Sequence, residues 1–191
     1  MRVIGGSARG RSLKAPPAPR ASGKPGIRPT SDLIRGVIFD MLDAFGADYD
    51  RVLDLYAGTG ALAIEALSRG DGTADLVEID PAAVAVIRTN LAATGMSERG
   101  SVHRLSAMNV PASSLNGPYT LVLSDPPYYD EDVFAAVRAV AESALVGDAT
   151  VIVVEHHHKT AAPDALGRLP LYRDRRHGDT VVSIYAQEEL S

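Results

Sequence analysis

Asp125-Pro126-Pro127-Tyr128, preceded by Ser124, closes an apolar run that begins near Tyr119. Neither proline can donate a backbone hydrogen bond, and each fixes its own φ. The chain therefore leaves its strand stiff and extended, with carbonyl oxygens free to accept. Asp125 offers a carboxylate, Pro126 and Pro127 offer rigid carbonyls, and Tyr128 offers a flat ring. Together they form a receptor for a planar group bearing an NH2. That points to chemistry on the exocyclic amine of a nucleobase.

A second block, Asp54-Leu55-Tyr56-Ala57-Gly58-Thr59-Gly60-Ala61-Leu62-Ala63, matches the nucleotide-binding spacing Gly-x-Gly-x-x-Gly/Ala. Glu78 follows Gly58 by 20 residues, where an acid binds a ribose diol, and Ile79 lies beside it. A nucleoside-containing cofactor is expected on the backbone of Tyr56, Ala57, Gly58, Thr59 and Gly60. NAD fits poorly. Asp54 would repel a pyrophosphate, and Asp125-Pro126-Pro127-Tyr128 offers nothing to a hydride. S-adenosylmethionine satisfies both blocks, with its amino-acid end at Asp54 and its ribose at Glu78. Ser106 and Ala107, in the stretch Ser106-Ala107-Met108-Asn109, would lie near the adenine, with Ser106 or Asn109 able to bond its edge.

The elements that must hold these residues alternate in period. A helix is expected over 31–45, capped by Thr30 or Ser31, with an apolar stripe from Leu33 to Phe45. Strands are expected at 51–56, 74–79, 101–105, 119–124 and 149–155. Helices are expected at 61–69, 81–94 and 131–145, with Pro81 opening one and Gly70 and Gly95 stopping two. A closing hairpin spans 171–175 and 180–186. Apolar strands alternating with helices give an α/β fold, a parallel sheet covered on both faces, and the hairpin adds an antiparallel edge. In such sheets ligands bind beyond the carboxyl ends of the strands. Both chemical blocks fall there.

At the front, residues 2–15 read as a small hairpin about a Gly-rich turn, carrying Arg9, Arg11 and Lys14. Five prolines at 16–29 mark a linker. The expected organisation is a basic hairpin and linker over 1–30 and a catalytic domain over 31–191. The net charge of −5 hides an asymmetry. Residues 1–36 hold eight Arg/Lys against one acid, and residues 37–191 hold 11 against 23. A basic arm on an acidic body points to a polyanionic partner met by the arm. Arg9, Arg11, Lys14 and Arg28 are the first candidates for phosphate contacts. Arg173, Arg175 and Arg176 form a second patch.

The 191 residues contain no cysteine, so disulfides, thiolate metal sites and cysteine nucleophiles are excluded. There is no long apolar run and no apolar leader, so a cytoplasmic protein is expected. A monomer is expected as well, because no apolar helix stripe is left over. Glu155-His156-His157-His158 is not read as a metal site, because successive residues on a strand point to opposite faces.

Four blocks now stand together: Arg2-Val3-Ile4-Gly5-Gly6-Ser7-Ala8-Arg9-Gly10-Arg11, Arg28-Pro29-Thr30, the Asp54–Leu62 loop and Asp125-Pro126-Pro127-Tyr128. With them the chain resembles the RsmD family, bacterial methyltransferases of a 16S rRNA guanine N2. The resemblance covers nearly the whole length. It implies a class I, Rossmann-like methyltransferase with a mostly parallel seven-stranded sheet and an antiparallel edge hairpin. It implies S-adenosylmethionine as methyl donor, and 16S rRNA in the 30S subunit or its assembly intermediate as target. Asp54, Gly58 and Gly60 fall on the family's cofactor loop, Glu78 on its ribose-binding acid, and Asp125 and Tyr128 on its catalytic motif. Ser106 departs from the Asp or Asn that relatives more often carry there. Two rival readings are an adenine-N6 or glutamine methyltransferase, and an rRNA-binding assembly factor without turnover. The intact set Asp54, Glu78 and Asp125 counts against the second.

Overall fold

The computed structural model describes residues 1–15, 32–127 and 132–187. Strand β1 (Arg51–Leu55) lies inside the sheet and is buried from Val52 onward. On one side it pairs in parallel with β2 (Thr73–Glu78), which pairs in parallel with β3 (Gly100–Arg104). On the other side it pairs in parallel with β4 (Tyr119–Ser124), and β4 with β5 (Val146–His157). The antiparallel edge is β8 (Thr180–Tyr185), β7 (Leu169–His177) and the two-residue β6 (Ala165–Leu166). The order is β3-β2-β1-β4-β5-β8-β7-β6. The strand order reverses between β1 and β4, and the crevice opened there is where open α/β sheets bind ligands.

Alternation along the strands separates two cores. Val52, Leu121, Leu123, Val151 and Val153 face one side with α1 (Asp32–Phe45), α2 (Ala61–Arg69) and α3 (Pro81–Thr94). Leu53, Leu55, Val122, Ile152 and Val154 face the other, with α4 (Ala135–Ala141) and a short 3-10 helix, Ala107–Ala112. Helix α3 starts as expected, with Pro81 in its first turn and the Asp80 carboxylate accepting from Ala82 N at 2.9 Å. Gly95 ends it in the left-handed conformation at φ 77°. No helix among the described residues is long and apolar enough to cross a membrane.

Three expectations are corrected. Helix α4 has 7 residues and ends at Ala141, well short of Leu145. Ser143 stops it: its hydroxyl donates to Val140 O at 2.7 Å and accepts from Leu145 N at 3.2 Å, which turns the backbone out of the helix. The chain then enters β5 three residues early, at Val146, and β5 runs on to His157. The sheet has eight strands rather than seven, because Leu166 and Leu169 bury themselves across a turn at Gly167, φ 57°, and create β6. The front hairpin forms as expected: Arg2 bridges Ser12 antiparallel, with Val3 N donating to Arg11 O and Leu13 N to Met1 O, each at 3.0 Å. The arm is seated on the body: Val3, Ala8 and Leu13 are buried in the α1–α2–α3 core. The caps Thr30 and Ser31 lie outside the described residues.

Candidate active site at the β1–β4 switch

Asp54 is the fourth residue of β1 and points toward α2. It is 1% exposed. Its Oδ2 accepts from Ala63 N in the first turn of α2 at 3.1 Å, while Oδ1 is buried with no hydrogen-bond partner among the described residues. Burial pushes its pKa up to about 8, against the opposing pull of the Ala63 N–H, and the charges of Asp125 and Glu78 push it further the same way. The three acids singled out in the sequence therefore converge on one place. A buried, unpartnered carboxylate oxygen among like charges is a receptor for a cation.

Beyond Asp54 the backbone makes a strained turn. Tyr56 is the one described non-glycine residue at positive φ, 61°, and Gly58 and Gly60 follow at 55° and 76°. Left-handed φ at a side-chain-bearing residue costs about 1–2 kcal/mol and clusters at functional sites. Gly60 is required twice over. Besides its φ, a Cβ there would stand 3.2 Å from both Ile87 Cγ2 and Leu76 Cδ2, so the loop lies hard against α3 and β2. Ala57 N donates to Val77 O at 3.0 Å, and Gly60 N to Ala57 O at 2.6 Å. Glu78, at the end of β2, accepts from Gly58 N at 2.8 Å and from Asp80 N at 2.9 Å. It thus bridges the ends of β1 and β2 with a half-exposed carboxylate.

Next to Glu78, Ile79 is 64% exposed, and Met108 on the 3-10 helix is 51% exposed. Ser106 precedes that helix without a side-chain cap, and Ala107 is buried. Leu105 N donates to Glu78 O at 3.2 Å, which ties this loop to β2.

Asp125 leaves the end of β4 directly beside β1, where Leu55 pairs with Ser124. It is half-buried, Pro126 is buried and Pro127 is half-buried. Tyr128, Tyr129 and Arg28 lie outside the described residues, so three of the expected contributors are not placed. Arg9, Arg11 and Lys14 are exposed on the arm, and Arg11 Nη1 donates to Ala93 O at 2.7 Å near the end of α3. A cavity of about 330 Å³ between the arm and the start of α1, lined by Arg2, Arg9 and Asp32, belongs to the arm and contains none of the three converging acids.

The histidines divide. His156 is buried between β5 and β8, with Nε2 2.7 Å from Ser183 Oγ, and burial lowers its pKa. His157 and His158 do approach a third donor, Asp179 in the β7–β8 turn, with ligand atoms within 4.8 Å of one another. Sequence spacing along one strand could not show this. These donors already close the strand end: Lys159 N donates to His157 Nδ1 at 3.1 Å, and His158 N donates to Asp179 O at 2.8 Å.

One residue at the Tyr56–Gly60 loop is not marked by the sequence motifs. Asn90 of α3 is fully buried and reaches Thr59. Its signal was present, since it interrupts the apolar stripe Val84, Ile87, Leu91 with an amide.

The model of the family described as conserved hypothetical protein 95 matches residues 1–186. Ribosomal RNA small subunit methyltransferase D of Escherichia coli K12 is 31% identical over 188 residues, covering 98% of this chain and 90% of its own. The solved structure of a hypothetical protein from Thermus thermophilus is 29% identical with a TM-score of 0.75, covering 97% of this chain and 99% of that one. An RNA methyltransferase from Salinibacter ruber, solved in complex with S-adenosyl-L-homocysteine, has a TM-score of 0.61 at 20% identity over 85% of this chain and 96% of its own. That likeness bears on the fold, which is the class I methyltransferase fold. With a family model spanning all but the last residues, and a full-length relative above 30% identity, the chain belongs to the RsmD family of methyltransferases, whose model carries the description conserved hypothetical protein 95.

Proposed function

We propose that this protein is an rRNA methyltransferase that transfers a methyl group from S-adenosylmethionine to the exocyclic N2 of a guanine in 16S rRNA, in the 30S subunit or its assembly intermediate. The observation that carries this reading is the convergence of Asp54, Glu78 and Asp125 on the β1–β4 switch, with Pro126-Pro127 leaving the same strand end.

The site fits the cofactor on its own terms. The orphaned Oδ1 of Asp54 suits the ammonium of a methionyl moiety, and a pyrophosphate would meet three carboxylates. Glu78 keeps acceptor capacity for a ribose diol, because each of its oxygens is engaged by one backbone N–H. Ile79 and Met108 offer apolar surface for an adenine. When bound, the cofactor supplies an electrophilic methyl on a sulfonium.

The chain's own part is positioning and electrostatics. A guanine N2 lone pair is delocalised into the ring and is a poor nucleophile. The Asp125 carboxylate and the Pro126 carbonyl accept its two N–H bonds, which turns the lone pair out of the ring plane toward the methyl. Asp125 stabilises the positive charge that develops on N2 and takes the proton, or passes it to water, after the N–C bond has formed. Tyr128 provides a stacking face for a base flipped out of structured RNA, a contact worth about 1–3 kcal/mol. Arg9, Arg11, Lys14 and Arg28 serve phosphates. The arm over 1–30 acts as the RNA-docking segment of the methyltransferase domain.

The test is transfer of tritiated methyl to naked 16S rRNA, to 30S subunits lacking the modification, and to a DNA duplex, with nucleoside digestion. Label in N2-methylguanosine from ribosomal material is expected. Label in N6-methyladenine would replace the substrate. Asp125→Ala is expected to lose transfer by at least about a hundredfold, the scale of an electrostatic stabiliser, while still binding S-adenosylhomocysteine. Normal methylation by that variant would refute the role given to Asp125.

A further inference from the structure

The side chain of Asn90 binds both the N-terminal arm and the cofactor loop. Asn90 is fully buried on α3, and both of its amide protons and its oxygen are hydrogen-bonded. One Nδ2 proton goes to Lys14 O at 3.0 Å, and the Oδ1 accepts from Lys14 N at 2.8 Å. These two bonds clasp the arm's backbone like one rung of a sheet. The second Nδ2 proton goes to Thr59 O at 2.9 Å, inside the cofactor loop. An amide NH2 has only two protons, so neither can move without releasing a carbonyl. Thr59 sits between Gly58 and Gly60, both at positive φ, so its peptide plane can rotate more freely than most. Hydrogen bonds select one orientation: the N–H of the same peptide, on Gly60, donates to Ala57 O at 2.6 Å, and its carbonyl accepts from Asn90 at 2.9 Å.

The arm's anchors on α2 do not reach the loop, whereas Met1 Sδ does, accepting from Thr59 Oγ1 at 3.9 Å. Glu65 accepts from Ile4 N and Gly5 N, and Ser68 Oγ donates to Gly5 O and accepts from Ala8 N. They hold the same arm on α2, through residues that precede Lys14 along the arm. They therefore serve as internal controls.

We propose that Asn90 is a positioning residue: it fixes the Thr59 carbonyl in the cofactor-binding conformation, and seating of the arm at Lys14 fixes Asn90. Arm docking and cofactor binding are thereby linked through this amide. This rests on the reading of the Asp54–Gly60 loop as the S-adenosylmethionine site.

The test is calorimetric binding of S-adenosylhomocysteine to the full chain, at a temperature where each variant is folded by circular dichroism. If releasing Thr59 leaves about a tenth of the molecules with a competent loop, Asn90→Ala raises Kd about tenfold. Lys14→Pro removes the N–H that Asn90 accepts and leaves the Thr59 bond in place; it is expected to raise Kd several-fold. Ser68→Ala loosens the arm elsewhere and is expected to stay within about twofold of the parent. In turnover, N90A should raise KM for S-adenosylmethionine with kcat at saturation nearly unchanged, a split that loss of folded protein does not produce. N90A with unchanged Kd overturns the proposal, as does an S68A effect equal to that of N90A. Should N90A fail to fold, K14P decides: an unchanged Kd in that variant overturns the linkage. Failure of the parent chain to bind S-adenosylhomocysteine would overturn the cofactor-site reading itself, and the proposal with it.

Discussion

Asp54 carries an ionisation conflict that the cofactor would resolve. Below the carboxyl's ordinary value near pH 4 it is neutral in the folded and the unfolded chain, so its burial costs nothing in ionisation. As pH rises the unfolded chain ionises first, and the folded chain follows only near pH 8. Stability therefore declines across that window and levels off above it. Asp54→Asn removes the conflict, so its stability relative to the parent should grow from about pH 5 to about pH 8.5, by a few kcal/mol in order of magnitude, read from urea midpoints. Function runs the other way. An ammonium group at Oδ1 restores the charged form, so cofactor binding near neutral pH should release a proton. The calorimetric enthalpy would then vary with the ionisation heat of the buffer, and D54N would bind weakly with no such dependence. A parent enthalpy independent of buffer would refute the assignment of Asp54. The sequence placed Asp54, Glu78 and Asp125 at strand ends. Their mutual electrostatic influence came only from the register of β1 with β2 and β4.

At the scale of elements, local signals were followed wherever they were strong. Helices α2 and α3 run over 61–69 and 81–94, as Gly70, Pro81 and Gly95 dictate. Helix α4 is shorter than its apolar spacing implies, because that spacing continues past Ser143, whose hydroxyl competes for the backbone. The arm shows the reverse case. Its Gly-rich turn was visible, but its seat was not, because Glu65 and Ser68, which hold it, lie some 60 positions away in sequence. Two glycines separate local strain from seating. Gly6 and Gly95 have φ of 70° and 77°, yet a Cβ on Gly6 would stand 1.8 Å from Ser68 O, while one on Gly95 meets nothing within 4 Å. Gly95→Ala should cost about 1 kcal/mol, the left-handed penalty alone. Gly6→Ala should cost about 3 kcal/mol or more by urea denaturation, since the arm must lift from α2. Equal costs would mean that the arm is not held as described.

Over the whole molecule, charge is divided between a basic front and an acidic body. RNA affinity carried by the arm should fall steeply with salt, and each phosphate-contacting residue replaced among Arg9, Arg11 and Lys14 should lower the log–log slope by about one. A slope unchanged in the triple alanine variant would place the dock elsewhere, with Arg173, Arg175 and Arg176 next in line. Point changes are the proper test, because removing residues 1–15 would strip Val3, Ala8 and Leu13 from the core. By itself, the sequence determined what is local or periodic: the alternation of strands and helices, the glycine turn, the stiff Pro-Pro exit and the uneven charge. Each is fixed by residues a few positions apart. The tertiary structure decided what depends on distant partners. It seated the front hairpin on the body, raised the pKa of Asp54 through burial and neighbouring charge, and joined Lys14 to Thr59 through Asn90, contacts that span 76 and 31 positions. Periodicity carries no information across such separations. Only packing of α3 between the arm and the loop brings them within hydrogen-bond reach.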